Sequence, residues 1–272
     1  MLIRYACSKD KPELKNIWQK CFSDSEKFVN WNFENNFVPE NAMLCEEKGS
    51  LVSNLHLIPY DVVFCGKVLK AVYISAVATK EDKRNNGYAS KLIEASLSEL
   101  EKKGIDIAFL VPAIDGYYEK FGFVKIVEKE EFIKKGEIPP YSEGEKTQIP
   151  NANEVLQIYL KANKKKKLYL KRSLRDTSLI LADLTENTEG ECVMTDDGTA
   201  YAMYKEYEDK IKVFEIMGEN EEAQEYMLFE LYKLGKPLEF ELPPVMIKTL
   251  NKKIKAEDFL LPRKDLYFNL IL

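Results

Sequence analysis

Between residues 77 and 89 the sequence reads Val77-Ala78-Thr79-Lys80-Glu81-Asp82-Lys83-Arg84-Asn85-Asn86-Gly87-Tyr88-Ala89. The apolar residues before Lys80 are typical of a strand end, and a helical pattern begins at Gly87. Unpaired amide groups at a helix N-terminus bind phosphate oxygens, and a glycine lets the backbone approach a ligand closely. The segment predicts a pyrophosphate cradle, while an ordinary helix start with a tightly packed glycine remains the alternative.

A strand, a helix and a second strand surround this loop. Val68–Thr79 reads as a strand, residues 87–103 carry one apolar stripe at helical spacing, and Ile105–Val111 alternates again. Two strands joined through a helix pair in parallel by a right-handed crossover. The other predicted elements of this half are strands at 2–6, 43–47, 51–59, 62–65 and 123–127 and helices at 14–21, 23–36 and 115–120.

The order strand, helix, strand recurs in the second half. A strand at 211–217 precedes a helix capped by Asn220, and Leu238–Leu242 alternates as the next strand. A helix at 154–164 and a hairpin at 191–204 come before this unit. The Glu-, Lys- and Pro-rich residues 128–150 mark a junction, so we predict an α+β protein with domains at 1–140 and 141–272.

Composition narrows the possible functions. The 272 residues include 40 Lys and Arg against 45 Asp and Glu, a net charge of −5, so we expect no broad surface for nucleic acid or an anionic membrane. No secretory signal or run of about 20 apolar residues is present, which predicts a cytoplasmic protein. The five scattered cysteines predict buried, reduced thiols, and with His56 as the single histidine we expect no metal site.

A second motif, Tyr117-Tyr118-Glu119-Lys120-Phe121-Gly122-Phe123, follows the predicted parallel partner strand. Together with the loop at 84–89 it resembles the GNAT superfamily of N-acetyltransferases. The resemblance implies a GNAT fold with a mixed sheet and flanking helices, and acetyl-CoA as cosubstrate without a metal. It also implies a set of cofactor-binding residues: Val77, Ala78 and Thr79 along the pantetheine arm, and Arg84, Asn85, Asn86, Gly87, Tyr88 and Ala89 at the pyrophosphate.

The resemblance extends to catalytic groups. It implies that the Val77 amide polarises the thioester carbonyl and that Tyr118 donates a proton to the CoA thiolate; a packed tyrosine with a satisfied hydroxyl is the alternative. An amine with a pKa near 10.4 also needs a base, and the strand Ala71–Ala76 contains no carboxylate.

The two-part order of elements resembles the Eis-type branch of the family, in which the chain terminus enters the active site. Six of the last seven residues are apolar or aromatic, which favours burial of the end. We therefore predict the Leu272 carboxylate as the base, with a terminus merely packed in the sheet as the alternative and His56 as a further candidate. The second unit is expected to bind no CoA, because Gly218-Glu219-Asn220-Glu221-Glu222 places carboxylates where a pyrophosphate would lie.

These observations predict transfer of an acetyl group from acetyl-CoA to a primary amine of a small molecule or peptide. Acidic residues that suit a cationic amine are Asp24, Glu26, Glu34 and Asp115. One alternative is a non-catalytic acyl-CoA-binding regulatory protein, consistent with the missing strand carboxylate. Another is RNA binding by the run Lys164–Lys167 with Lys161, Lys171 and Arg172 nearby, for which a solvated surface is the simpler explanation.

Overall fold

The computed structural model describes residues 1–134, 147–262 and 265–267. The helices are α1 (Lys11–Cys21), α2 (Glu26–Asn35), α3 (Tyr88–Lys102), α4 (Ala152–Asn163), α5 (Leu174–Glu186) and α6 (Glu221–Tyr232). The strands are β1 (Leu2–Tyr5), β2 (Ala42–Glu47), β3 (Ser50–Phe64), β4 (Lys67–Thr79), β5 (Ile107–Leu110), β6 (Val124–Val127), β7 (Glu130–Lys134), β8 (Thr147–Gln148), β9 (Leu168–Lys171), β10 (Glu191–Thr195), β11 (Ala200–Glu206), β12 (Ile211–Gly218), β13 (Leu238–Leu242), β14 (Val245–Thr249) and β15 (Leu266–Tyr267).

The chain divides into two compact units. Unit 1 consists of Met1–Val127 and Pro244–Leu261, and unit 2 of Glu128–Pro243 and Pro262–Leu272. This division differs from the two continuous halves expected from the sequence. The Pro- and Glu-rich stretch does mark a change of unit, but nothing in the local composition shows that the chain returns to unit 1 at Pro244.

The sheet of unit 1 has the order β1-β2-β3-β4-β5-β14-β6. β4 and β5 pair in parallel across α3, which confirms the predicted crossover, and β14 lies antiparallel between β5 and β6. The prediction of separate strands at 51–59 and 62–65 is wrong, because β3 runs continuously through Pro59. Since β2 pairs with β3 only as far as His56, the missing N–H of Pro59 removes no bond from that ladder.

Helices cover both faces of this sheet. The apolar stripe of α3, which includes Leu92 and Leu97, packs on Ile74 and its neighbours. Residues of α1 and α2 belong to a second cluster that contains Ala78 of the same strand. Strict alternation would place Ile74 and Ala78 on one face, but the register of β4 shifts between them, so this one strand contributes to two cores.

Two short-range predictions in unit 1 are corrected. The helix expected at 115–120 is a single 3-10 turn at Glu119–Phe121, preceded by Gly116 with φ of 73°. Cys7 and Cys65 are exposed, so the expectation of buried thiols is wrong for these two, whereas Cys45 and Cys192 are buried.

Unit 2 repeats the strand, helix, strand order around β12, α6 and β13. Its sheet has the order β7-β13-β12-β11-β10-β8, with β12 and β13 parallel and the other pairs antiparallel. α4 and α5 contribute to one cluster on this sheet, and α6 to another. Together with the mixed sheet of unit 1, this is the α+β architecture predicted from the sequence.

Candidate functional site

The parallel pair β4 and β5 separates partway along its length. Their registered pairs run from Ala71 with Ile107 to Tyr73 with Phe109, and β4 then continues to Thr79 beside β3 alone. One edge of β4 therefore lacks a paired strand after Tyr73 in the described part of the chain. An extended ligand can add to such an edge as a further strand.

A β-bulge lies in this separated part of β4. Asn54 pairs with Ala78 and His56 with Ser75, so Ala76 and Val77 both stand opposite Leu55. Ala76 has φ of 49°, in the left-handed region that residues with a Cβ rarely adopt. Of the predicted residues, Val77 thus lies in the bulge, and Thr79 lies two residues beyond it.

Two polar side chains of β3 contact the bulge. Asn54 Nδ2 donates to the carbonyl of Ala76 at 3.1 Å. Ser53 Oγ donates to the carbonyl of Ala78 at 2.7 Å and lies 2.9 Å from Thr79 Oγ1. Sequence analysis missed both residues, because a serine and an asparagine in a strand carry no signal of what their side chains bind.

The N-terminus of α3 carries no side-chain cap. Gly87 is its N-cap residue with φ of 77°, and no side chain in the described part of the chain caps this helix start. A Cβ built on Gly87 would have nothing within 4 Å. The glycine is therefore required by its backbone angle and not by crowding, and an uncapped helix start of this kind suits an anion.

The side chains of the preceding loop hold its shape. Asn86 Nδ2 donates to the carbonyls of Lys83 and Arg84 at 3.1 and 3.0 Å, and Arg84 Nε donates to the carbonyl of Thr79 at 3.3 Å. Asn85 takes a φ of 64°. The Arg84 side chain is exposed, so its positive charge lies at the surface of the loop.

Tyr88 and Ala89 form the start of α3. Tyr88 Oη donates to Glu47 Oε1, and Lys83 Nζ donates to Glu47 Oε2 at 3.0 Å. These bonds, that of Tyr88 first, lower the pKa of Glu47. Ala89 is half-buried, and the pair of bonds to Glu47 ties the start of the helix to the end of β2.

Tyr118 lies at the edge of the α3-side core with 6% of its surface exposed. Its ring packs edge-on against Tyr117 at 5.1 Å, and Val77 and Tyr88 pack against the same cluster. Burial, followed by the neighbouring Tyr117 and Tyr73, raises the pKa of Tyr118 to about 12. The phenol therefore keeps its proton at neutral pH and is able to donate it.

A serine and a lysine near the same motif were not predicted from the sequence. Ser90, in the first turn of α3, lies 3.2 Å from Tyr117 Oη, and Lys120 Nζ donates to Ser90 Oγ at 3.2 Å. Lys120 also lies 4.1 Å from the centre of the Tyr117 ring. Lys120 therefore places a second exposed cation, besides Arg84, beside the helix start. Its position inside the Tyr117–Phe123 motif is the sequence feature from which it could have been predicted.

His56 has the surroundings of a core residue. The rings of Trp18, Phe33 and Phe37 lie 5.5 to 5.9 Å from the imidazole, and burial lowers the pKa of His56 to about 4. An imidazole with this pKa is a weak base at neutral pH. The geometry therefore favours a structural role for His56.

The other predicted residues are dispersed. Asp24 accepts the indole N–H of Trp18 at 2.8 Å, and Glu26, Glu34 and Asp115 are exposed. Leu272 lies outside the described residues, so its role stays a prediction.

Some of the basic residues around Lys164–Lys167 are paired or buried, while Lys164 and Lys165 are exposed. Lys167 pairs with Asp265 at 2.9 Å, and Arg172 is buried against Glu215. Within residues 1–134, 147–262 and 265–267, no cluster of His, Cys, Asp and Glu side chains is able to hold a metal ion. No helix in those ranges is both long and apolar enough to cross a bilayer.

Comparison with known proteins identifies this arrangement. Residues 2–126 match the family model described as Acetyltransferase (GNAT) domain, and no curated protein sequence matches the chain. Among solved structures, a GCN5-related N-acetyltransferase from Anabaena variabilis is 15% identical, with a TM-score of 0.78. The match covers 92% of this chain and 73% of that protein.

Two further solved structures are similar over the same share of the chain. A probable N-acyltransferase from Enterococcus faecalis is 14% identical with a TM-score of 0.78, and Eis1 from Mycobacterium abscessus is 12% identical with a TM-score of 0.72. The matches cover 92% of this chain and 72% and 74% of those proteins. Identities this low establish the fold alone, but they extend it over both units. The resemblance inferred from the sequence is thus confirmed: residues 2–126 match the acetyltransferase (GNAT) family model, and the chain has the fold of these structures over both units.

Proposed function

We propose that the protein transfers an acetyl group from acetyl-CoA to a primary amine of a small molecule or peptide. The observation that carries the proposal is the uncapped N-terminus of α3 beside the separated edge of β4. The helix start suits a diphosphate, and the strand edge suits the amide-containing arm of CoA. Both features lie in the unit that matches the acetyltransferase family.

The diphosphate is assigned to the amide groups of Gly87, Tyr88 and Ala89. Arg84 supplies positive charge from the loop, and Asn85 and Asn86 give the loop its form. The backbone groups of Val77 and Thr79 pair with the pantetheine arm along β4, past the intervening Ala78. A Cβ built on Gly87 would meet none of the described residues within 4 Å, and none of their side chains caps the helix there, which supports this fit.

Transfer requires two proton movements. The amine nitrogen attacks the thioester carbonyl, its N–C bond forms, and the C–S bond breaks with the electron pair leaving on sulfur. The Val77 amide stabilises the negative charge that develops on the carbonyl oxygen. Tyr118 gives its proton to the departing sulfur, consistent with a pKa of about 12 that keeps the phenol protonated.

The proton lost by the amine needs an acceptor, and we assign it to the α-carboxylate of Leu272. Adding residues after Leu272 moves this carboxylate away from the site. We expect turnover to fall by about tenfold to a hundredfold with unchanged affinity for CoA. Equal turnover in the extended and natural proteins would remove the terminus from the mechanism.

The deciding experiment combines binding and turnover. Calorimetric titration with acetyl-CoA is expected to show one site per chain, and incubation with a panel of primary amines is expected to release CoA thiol above the rate of hydrolysis. Binding without thiol release for any amine would instead favour a regulatory protein that senses acyl-CoA. Absence of binding would overturn both functions.

A further inference from the structure

We infer that Asn54 is a positioning residue that fixes the direction of the Val77 amide in the proposed acetyl transfer. This inference rests on the proposed function and adds to it a residue from a neighbouring strand. Asn54 lies on β3, outside both motifs that indicate the family. Its side chain is 3% exposed and donates one hydrogen bond, to the carbonyl of Ala76.

The planarity of the peptide bond links that carbonyl to Val77. The Ala76 C=O and the Val77 N–H belong to one planar group, and in a trans peptide they point in opposite directions. A bond from Asn54 to the carbonyl therefore turns the Val77 N–H away from the Asn54 amide. The opposite edge of β4 is the one from which β5 has separated, so the N–H is directed towards the proposed path of the thioester.

The bulge needs such support. Ala76 holds a left-handed φ of 49°, a conformation that a residue with a Cβ keeps only where its surroundings impose it. Ser53 fixes the other side of Val77 by donating to the carbonyl of Ala78. Side chains of β3 thus bind the carbonyls of the residues before and after Val77, so the backbone is held in place on both sides of this residue.

The Asn54 side chain uses only the donor half of its amide. Asn54 Oδ1 is buried and has no hydrogen-bond partner among the described residues. An unpartnered buried carbonyl oxygen costs stability, and an apolar residue of the same volume would avoid that cost. What the amide supplies at this position is therefore its donor, which binds the Ala76 carbonyl.

The first test replaces Asn54 by leucine, which has nearly the same volume and no donor. We expect Asn54→Leu to lower the melting temperature modestly, because the Ala76 carbonyl loses its donor, and to leave the affinity for acetyl-CoA close to that of the natural protein. We expect kcat to fall by about tenfold to a hundredfold, the range for a displaced oxyanion donor. A loss of activity that only follows a loss of stability would overturn the inference.

Asn163 provides a matched control in unit 2. It is also fully buried, its Nδ2 donates to one backbone carbonyl, that of Tyr159 at 2.9 Å, and its Oδ1 also has no partner among the described residues. Asn163→Leu is expected to leave kcat within about threefold of the natural value. An equal fall in both variants would show a general effect of removing a buried amide and would overturn the inference.

A spectroscopic readout isolates the carbonyl itself. Infrared difference spectra of bound acetyl-CoA, labelled with ¹³C at the thioester carbonyl, report how strongly that carbonyl is polarised. We expect a shift to lower frequency in the natural protein and in Asn163→Leu, and loss of that shift in Asn54→Leu. If the natural protein is active but its thioester band is not shifted, neither Val77 nor Asn54 acts on the carbonyl. The inference would then be overturned, while the proposed acetyl transfer would stand.

Rescue by a second substitution tests the route through Ala76. Glycine adopts a left-handed φ without steric cost, so Ala76→Gly in the Asn54→Leu background is expected to restore part of the lost kcat and of the band shift. In the natural background the same change is expected to have little effect. If Asn54→Leu does not fold, Asn54→Ala takes its place in all three comparisons. If both variants of a pair fold and Ala76→Gly restores no activity, the inference is overturned.

Discussion

The segments β4-α3-β5 and β12-α6-β13 share one topology and differ at the start of the helix. In each, the parallel strands pair over three residues and then separate, after Tyr73 with Phe109 and after Val213 with Phe240. α3 begins at an uncapped glycine, whereas the Asn220 side chain accepts from the Ala223 amide at 2.9 Å at the start of α6. The same fold therefore leaves its helix start open in unit 1 and closes it in unit 2.

Two glycines show how the closure is built. A Cβ on Gly218 would lie 2.3 Å from the Gln224 nitrogen, so this glycine is needed for close packing of β12 under α6. A Cβ on Gly87 would meet nothing within 4 Å. A glycine before a helix therefore does not by itself indicate a ligand site, and the free space beside it distinguishes the two cases.

The separated strands of unit 2 contain a buried polar group. Glu215 of β12 accepts two bonds from Arg172, one from Tyr201 and one from Tyr267, at 2.7 to 2.9 Å. A cavity of about 280 Å³ lies beside it, with Phe214, Phe240 and Leu228 in its lining. Carboxylates of Glu221 and Glu225 also line this cavity, so it is a poor place for a diphosphate.

The largest effect is expected from a charge at the open helix start. Gly87→Glu adds a carboxylate and a strained φ at the proposed diphosphate site, and affinity for acetyl-CoA is expected to fall on the order of a hundredfold or more. Calorimetric titration measures the change. Gly66→Glu is the control, because Gly66 has φ of 79°, equally open surroundings and a position in the β3–β4 turn. Similar affinities of the two variants would contradict the open-start assignment.

The next effect concerns stability in unit 2. Arg172→Met leaves the Glu215 charge buried without its partner, and the free energy of unfolding is expected to fall by about 3–5 kcal/mol. Urea denaturation measures it. Lys210→Met removes one member of a partly exposed pair with Glu239 and is expected to cost less than about 1 kcal/mol. Equal costs would show that the Glu215 group does not stabilise unit 2 in this way.

A smaller effect is expected for the proposed acid. Tyr118→Phe removes the proton donor and is expected to lower kcat by about tenfold to a hundredfold with little change in affinity for acetyl-CoA. Since the pKa of Tyr118 is about 12, the phenol stays protonated below that pH, and the rate of the natural protein is not expected to fall between pH 7 and pH 10. An alkaline fall in that range, or full activity of the variant, would assign the proton to another group.

The smallest effect concerns the cap of α6. Asn220→Ala removes the bond to the Ala223 amide and is expected to cost about 1 kcal/mol, measured by thermal unfolding. It is not expected to create a CoA site, because the carboxylates of Glu221 and Glu222 remain in the first turn. Binding of acetyl-CoA to a second site in this variant would show that the cap alone closes the helix start.

Local patterns predicted the parts of the fold that depend on neighbouring residues. The stripe of α3, the parallel crossover and the repeated order in unit 2 follow from periodicity. The loop at 84–89 was singled out because its glycine precedes a helical stripe and, together with the Tyr117–Phe123 motif, resembles the family, and its ligand stays a prediction. The place of β14 and the bonds of Asn54 depend on contacts between distant residues, which periodicity does not record. Arg172 shows the same limit, since its sequence neighbours Lys171 and Ser173 are exposed while its partner Glu215 lies 43 positions away.

The position of β14 has a consequence for how the protein is made. This strand lies between β5 and β6, yet the ribosome synthesises it more than a hundred residues later than either. Until Val245–Thr249 has emerged, β5 and β6 lack the neighbour that joins them, and their unpaired edges are open to wrong partners. Unit 1 is therefore completed only after Thr249 has been translated, so a chain truncated before β14 lacks the strand that lies between β5 and β6.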